Sequence, residues 1–504
     1  MPEEKRRQEA LRLLAEVSDL YQQVKAKGDL YQEVHSAEVD RPAFRQSAEN
    51  FAYYLALRNY DIRKLQAELV PLGISSLGRL ENKTLATLQS VIHSLASIAE
   101  VETDIPRPAV GAFSRGDQQL ARNVFSILGE KSPGRNTLIM VTMPSEAAED
   151  RDLIRSLIGA GMNVARINCA HDTAEDWLKM IQNIRALAEE AEKDIRIMID
   201  IAGPKIRTEW VFTQYKNPKL EKGDEILLTS NFEDLPLDYS GKVVAGSAID
   251  SIYRALQIGD PVLVDDGSIE TRVIKTGLDH AVLTVTKVKG DRVRLKAEKG
   301  LNFPTTDFEM PIVNDKDRSD IAFACQHADI VGCSFVRTAE DIQVIQSVLK
   351  DILGPESGGM PILAKIETVK AVNNLAAIIY QAASHNPFAL MIARGDLAVE
   401  TGYIRLAEVQ QEILWLAEAA DVPVVWGTEV LANLIKTGIP SRAEVTDAAE
   451  GARSDCVMIN KGQKMVEAVE MLDEIFKRMR RHQYKKTPQL RALNIADLLN
   501  DSSD

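Results

Sequence analysis

Eight times between residues 137 and 462 a short apolar run ends in one or two polar residues and gives way to an amphipathic stretch. The runs are TLIMVTM, MNVARINC, IRIMIDI, DIVGCSF, PILAKIE, FALMIARGD, VPVVWGTE and DCVMINKG. Strand patterns alternating with helical ones signal a parallel sheet. Eight such units predict a closed (β/α)8 TIM barrel, an α/β fold. The third and fourth runs are separated by far more than one helix. Between them EKGDEILLTS, VLVDDGSIETRVIK, AVLTVTKV and DRVRLKAEKG alternate in polarity and are joined by Gly and Asp turns, which predicts a small inserted β-domain. Before the barrel, Leu13, Val17, Leu20 and Val24 recur at three- and four-residue steps, and FAYYLALRNYDIRKLQAELV and KTLATLQSVIHSLASI repeat the theme, so the chain opens with an all-helical module. IPRPAVGAFSRGD reads as a linker. The expected division is therefore 1–130 helical, 134–208 barrel, 209–303 inserted β-domain, 304–485 barrel and 486–504 tail.

At 504 residues several cores are possible. The chain is 45% hydrophobic and 27% charged, without an apolar run long enough to span a bilayer, which argues against a membrane role. A formal net charge of −14 repels nucleic acid, although a local basic pocket can still hold a small anion. Cys169, Cys325, Cys333 and Cys456 form no CxxC pair and sit in apolar segments read as strands, the habit of reduced, buried thiols in the cytoplasm. The N-terminus mixes acidic and basic residues and lacks the apolar stretch of a signal peptide, so it reads as a mature helix.

Barrel enzymes carry their active sites at the C-terminal ends of the strands. Residues there are Arg166 and Asn168 after the second run, Asp200 after the third, Lys365 and Glu367 after the fifth, Arg394 and Asp396 after the sixth, and Thr428 after the seventh. In PILAKIET, Lys365 and Glu367 lie two apart and so share one face of a strand. Two carboxylates with open coordination positions, Glu367 and Asp396, suit a Mg²⁺ shared with substrate oxygens. Arg166 and Lys365 can neutralise a phosphate, one as a planar fork and the other as a point charge. The set suits phosphoryl transfer, in which positioning and charge neutralisation do most of the work. Gly395, at a helix start, can offer backbone N–H groups to a carboxylate or phosphate. No GxxxxGK[ST] loop is present. The bland alternative is an ion network satisfied within itself, with His171 an ordinary loop residue and Asp265 and Asp266 a hairpin turn.

Taken in order, TLIMVTM, GMNVARINCAH, IDIAGPKIRT, VLVDDGSIE, KGLNFP, KIET, ARGDLAVE, GTEVLANLI with IPSRAEVTD, and DCVMIN resemble the pyruvate kinase family. The resemblance implies a barrel closed over by a small β-barrel lid and a C-terminal effector domain, the last expected to be absent here. It implies transfer from phosphoenolpyruvate to ADP, giving pyruvate and ATP, with Mg²⁺ or Mn²⁺, in a cytoplasmic homo-oligomer. Arg166 would bind the transferring phosphoryl group and Lys365 would stabilise it. Glu367 and Asp396 would hold the metal, and Thr428 with the backbone of Gly395 and Asp396 would grip the substrate carboxylate. Asn168, His171, Arg207 and the lid's Asp266 match positions near the nucleotide.

The departures are specific. The family usually has a Ser, contributing to a bound K⁺, where this chain has Ala170. Its K⁺-requiring members have a Glu where this chain has Lys205. An ammonium repels a hard cation and Ala170 offers it no oxygen, so K⁺ is expected not to be required. Ala202 replaces a Lys, and Asn460-Lys461-Gly462-Gln463-Lys464 replaces the usual S-G-E-T-A. Two other readings stand beside the kinase: a Mg²⁺-dependent lyase or aldolase acting on a pyruvate enolate, and a non-catalytic metabolite sensor.

Overall fold

The structure is a computed structural model that describes residues 3–35, 39–216, 218–232, 239–247 and 249–491. The eight apolar runs form eight parallel strands: β1 (Leu138–Thr142), β2 (Val164–Asn168), β3 (Arg196–Ile201), β4 (Ile330–Cys333), β5 (Ile362–Ile366), β6 (Phe388–Ala393), β7 (Val424–Gly427) and β8 (Cys456–Ile459). Each pairs with its successor, and β8 pairs with β1 to close the barrel.

Strand alternation sorts the side chains into two layers. Leu138, Met140, Val164, Met198, Ile330, Leu363, Met391, Val425, Cys456 and Met458 fill the barrel interior. Their neighbours, Ile139, Val141, Ala165, Ile167, Ile197, Ile199, Ile362 and Ala364, join the surrounding helices in a larger core. Continuing the inner series two residues at a time toward the C-terminal ends brings up Thr142, Arg166, Asp200, Lys365 and Glu367. The polar site is thus the top layer of the same stack whose lower layers are apolar. Gly332 on β4 keeps that layer open, since a Cβ there would fall 3.1 Å from Asp200 Oδ1 and 3.2 Å from Asp200 Cα.

The other end of the stack is filled by the helix Arg115–Leu128, whose Leu120, Val124, Ile127 and Leu128 pack into the interior cluster. The helix Glu3–His35 buries the Leu13, Val17, Leu20 and Val24 stripe. It packs on the helices Arg45–Leu57 and Thr84–Ala99. FAYYLALRNYDIRKLQAELV is not continuous: it breaks after Leu57, and a second helix runs Arg63–Leu69. These N-terminal residues share one unbroken apolar core with the outer layer of the barrel. Phe51 lies 5.1 Å from Tyr380, ring to ring, and Tyr380 donates to the Ala48 carbonyl at 3.1 Å.

The insertion is a seven-stranded mixed half-barrel. Its order is Leu301–Asn302, Pro261–Val264, Ile269–Thr276, His280–Val288, Glu225–Thr229, Val243–Gly246 and Val211–Phe212. Ile226, Leu228, Val262, Val264, Leu283 and Val285 give it a core of its own. DRVRLKAEKG does not form the expected strand; it contributes isolated bridges at Val293 and Gly300. Cys325 also departs from its expected strand, lying half-buried in the helix Asp315–His327. The last helix ends at Met479, and Gln483–Tyr484 then pairs with Thr487–Pro488. Most of the expected tail, residues 492–504, lies outside the described residues.

Candidate active site

At the C-terminal mouth of the barrel a buried ion network joins four strands. Arg166 donates through Nε and Nη2 to Asp200 Oδ2 at 2.8 and 2.5 Å, and through Nη1 to Thr142 Oγ1 at 2.9 Å. Lys365 Nζ lies 3.0 Å from Glu367 Oε1 and 3.6 Å from Asp200 Oδ2, and donates to Ser334 Oγ at 2.8 Å. Glu367 Oε2 accepts from the Phe335 backbone N–H at 2.6 Å. Lys365 is 8% and Glu367 1% exposed, which makes the charge balance decisive. Burial alone would lift the Asp200 carboxyl, but Lys365 and Arg166 outweigh it and hold it below the ordinary range. Burial alone would lower the Lys365 ammonium, but Asp200 and Glu367 raise it, so it stays charged. Glu367 goes the other way: burial, with Asp396 nearby, pushes its carboxyl up despite Lys365.

A second pairing spans barrel and insertion. Lys205 Nζ lies 2.7 Å from Asp396 Oδ1 and 3.6 Å from Asp266 Oδ1. Its ammonium is raised, because Asp396 outweighs the effect of burial. Beside it, Thr428 sits at a left-handed φ of 64° and accepts from the Gly395 N–H through Oγ1 at 2.7 Å. That backbone N–H is therefore already engaged by Thr428. The Arg394 guanidinium turns away to pair with Asp447 and donates to the carbonyls of Gly427 and Thr428 at 2.9 and 2.6 Å. It holds the Thr428 turn in place.

The structure thus brings Arg166, Lys365 and Glu367 into one network and Lys205, Asp266 and Asp396 into another. The remaining expected residues are less tightly assembled. Asn168 closes a local turn by accepting from the Ala170 N–H at 3.1 Å, and exposed Arg207 donates to the Glu298 carbonyl at 3.0 Å. His171 is exposed. Its ring is pushed down first by partial burial and then by the positive charges of Lys461, Arg166 and Arg207. Lys461 belongs to the loop after β8 that departs from the family, and it adds positive charge to this side of the mouth.

Ser334 and Thr142 were not among the sequence candidates, although each contacts a central residue. Both follow from the rule that found the others: Thr142 is the last residue of β1, and Ser334 is the first residue beyond β4. Glu367 and Asp396 can offer oxygen ligands to a hard divalent cation, and the upward push on the buried Glu367 carboxyl fits a site that gains from a nearby cation. Among the described residues no group of three His, Cys, Asp or Glu side chains is placed to hold a metal, so further ligands would have to come from substrate or solvent.

Fold and mouth together define a (β/α)8 barrel enzyme with a β-domain inserted after its third strand. The family model described as pyruvate kinase, barrel domain, matches residues 134–469. A pyruvate kinase of Dictyostelium discoideum is 32% identical over 372 residues, covering 71% of this chain and 69% of that protein. One of Thermotoga maritima is 31% identical over 350 residues, covering 68% of this chain and 71% of that protein. A crystal structure of a pyruvate kinase from Cryptosporidium parvum superimposes with a TM-score of 0.62 at 29% identity, covering 70% of this chain and 72% of that one. The chain belongs to the pyruvate kinase family, and with it to the phosphotransferases.

Proposed function

We propose that this protein transfers the phosphoryl group of phosphoenolpyruvate to ADP, yielding pyruvate and ATP, with Mg²⁺ and without a need for K⁺. The observation that carries the reading is the Lys365 ammonium, kept charged and buried on the same inner face as Arg166. In the transfer, the bond from phosphorus to the enolate oxygen breaks and a bond to a β-phosphate oxygen of ADP forms. The enolate then takes a proton at carbon. Lys365 and Arg166 present fixed positive charge to the phosphoryl oxygens, a stabilisation that grows as charge spreads in the transition state. Glu367 and Asp396 would hold the divalent cation, whose chemistry is to neutralise substrate oxygens. Thr428 retains its own O–H to donate to the substrate carboxylate. Asn168, His171, Arg207 and Asp266 are assigned to the nucleotide side, to which Lys461 adds a charge.

Independence from K⁺ is supported by Ala170, which has no side-chain oxygen, and by Lys205, whose ammonium already neutralises Asp396 at 2.7 Å. A cytoplasmic setting is supported by four free cysteines. Among the described residues no helix is long and apolar enough to cross a membrane. Self-association is supported by adjacent Tyr403 and Ile404, 78% and 95% exposed at the start of the helix Tyr403–Ala419.

The test is a coupled assay for pyruvate with phosphoenolpyruvate, ADP and Mg²⁺, with and without KCl at constant ionic strength, run beside Lys365→Met. Turnover that is unchanged by KCl and lost in the variant is expected. A many-fold rise with KCl would overturn the K⁺ assignment, and no turnover with any nucleoside diphosphate would overturn the kinase reading.

A further inference from the structure

A cavity of about 360 Å³ lies far along the sequence from the barrel mouth, between the N-terminal helices and the loop that leads into β7. Nearly all its walls come from residues 46–119; the barrel contributes Asp421. Asp421 is 4% exposed and holds a left-handed φ of 54°, a conformation Asp tolerates better than most residues. Its backbone carbonyl accepts from Asn123 Nδ2 at 2.7 Å, and Oδ2 accepts from Ser47 Oγ at 2.7 Å. Oδ1 is buried with no hydrogen-bond partner among the described residues. Buried polar atoms are rarely left so, because each unpaired one costs free energy. Burial pushes this carboxyl well above the ordinary range, with Asp117 and Glu418 adding to the effect.

The rest of the lining is charged in the opposite sense. Arg107 and Arg115 are exposed and take part in no ion pair among the described residues. Lys83 has Asp117 at 3.8 Å, and Glu49 stands at the rim. Unpaired guanidiniums match a carboxylate as a planar fork. A lone buried carboxyl oxygen calls for an N–H donor. A structural staple needs only the Ser47 and Asn123 bonds, and accounts for neither the unpaired oxygen nor the two free arginines facing the same space.

We propose that this cavity binds a free α-amino acid, with its carboxylate on Arg107 and Arg115 and its ammonium on Asp421. The site belongs to the N-terminal helices and is independent of the chemistry assigned to the barrel mouth.

Isothermal titration of the full chain with each of the twenty proteinogenic amino acids tests it, with lactate as the probe that keeps the carboxylate and replaces the ammonium by a hydroxyl. At least one amino acid is expected to bind with Kd below about 1 mM. Arg115→Gln changes an exposed side chain, and Asp421→Asn can keep the Ser47 bond. Each is expected to weaken binding about tenfold or more. Should Asp421→Asn fail to fold, Arg115→Gln decides. The proposal is overturned if no amino acid saturates, if binding survives undiminished in the variants, or if lactate binds as tightly as alanine.

Discussion

Lys365 and Arg166 share Asp200, so the buried mouth tolerates two cations only because two carboxylates face them. Removing Asp200 leaves both without that partner, a loss that in buried pairs costs about 3–5 kcal/mol. Asp200→Ala is therefore expected to lower the urea midpoint sharply, whereas Lys365→Met, which leaves the Arg166–Asp200 pair intact, should fold and lose about 10²- to 10³-fold in kcat. Steady-state kinetics beside urea unfolding separates the two. Glu400 offers a pH-dependent test. It accepts from Asn302 Nδ2 at 3.0 Å, where the chain returns from the insertion, and burial pushes its carboxyl up to about 7 from an ordinary 4.5. Between those two values the folded state keeps a proton that the unfolded chain has lost, so this group's contribution makes stability fall as pH rises and level off above about 7. Glu400→Gln keeps the acceptor and removes the titration. It should match the parent at pH 4 and exceed it by about 2 kcal/mol at pH 8, read from paired urea curves.

At the scale of elements, the eight barrel strands were legible because strands buried on both faces read as unbroken apolar runs. Most of the mouth was legible too, since the end of such a run marks the end that carries chemistry. What could not be read was where an amphipathic face goes. The apolar stripe Leu120, Val124, Ile127 and Leu128 is equally suited to a helical bundle, and nothing local says that it fills the end of a barrel. The four-residue Val243–Gly246 escaped because it is too short to show alternation, and Ser334 because a single serine after β4 carries no signal until its contact with Lys365 is seen. The plugging role predicts a contrast within one helix. Ile127→Ala leaves a hole against the barrel interior and should cost about 2–4 kcal/mol, while Phe125→Ala, at a residue 58% exposed, should change stability by about 0.5 kcal/mol or less. Denaturant titration of both variants measures the difference.

Across the whole molecule the N-terminal helices and the barrel share one core, which bears on whether residues 1–104 form a detachable unit. An independent module would meet the barrel across a small polar contact. Here Phe51, at 0% exposure, packs on Tyr380, Asn50 donates to the Ala419 carbonyl at 2.8 Å, and Lys486 beyond the barrel pairs with Glu81. A chain beginning at residue 105 keeps the plugging helix but uncovers this apolar side of the barrel. Its melting temperature is expected to fall by more than about 10 °C, since each kcal/mol lost moves Tm by about 2–4 °C in a protein of this size or smaller. It should also self-associate through the uncovered surface, so light scattering would report a larger and heterogeneous mass. A truncated chain with the parent's Tm and a single sharp mass would show the opposite: that the helices ride on the barrel without supporting it. If that sharp mass were also a smaller oligomer than the parent's, the N-terminal helices would be the element that joins copies of the chain.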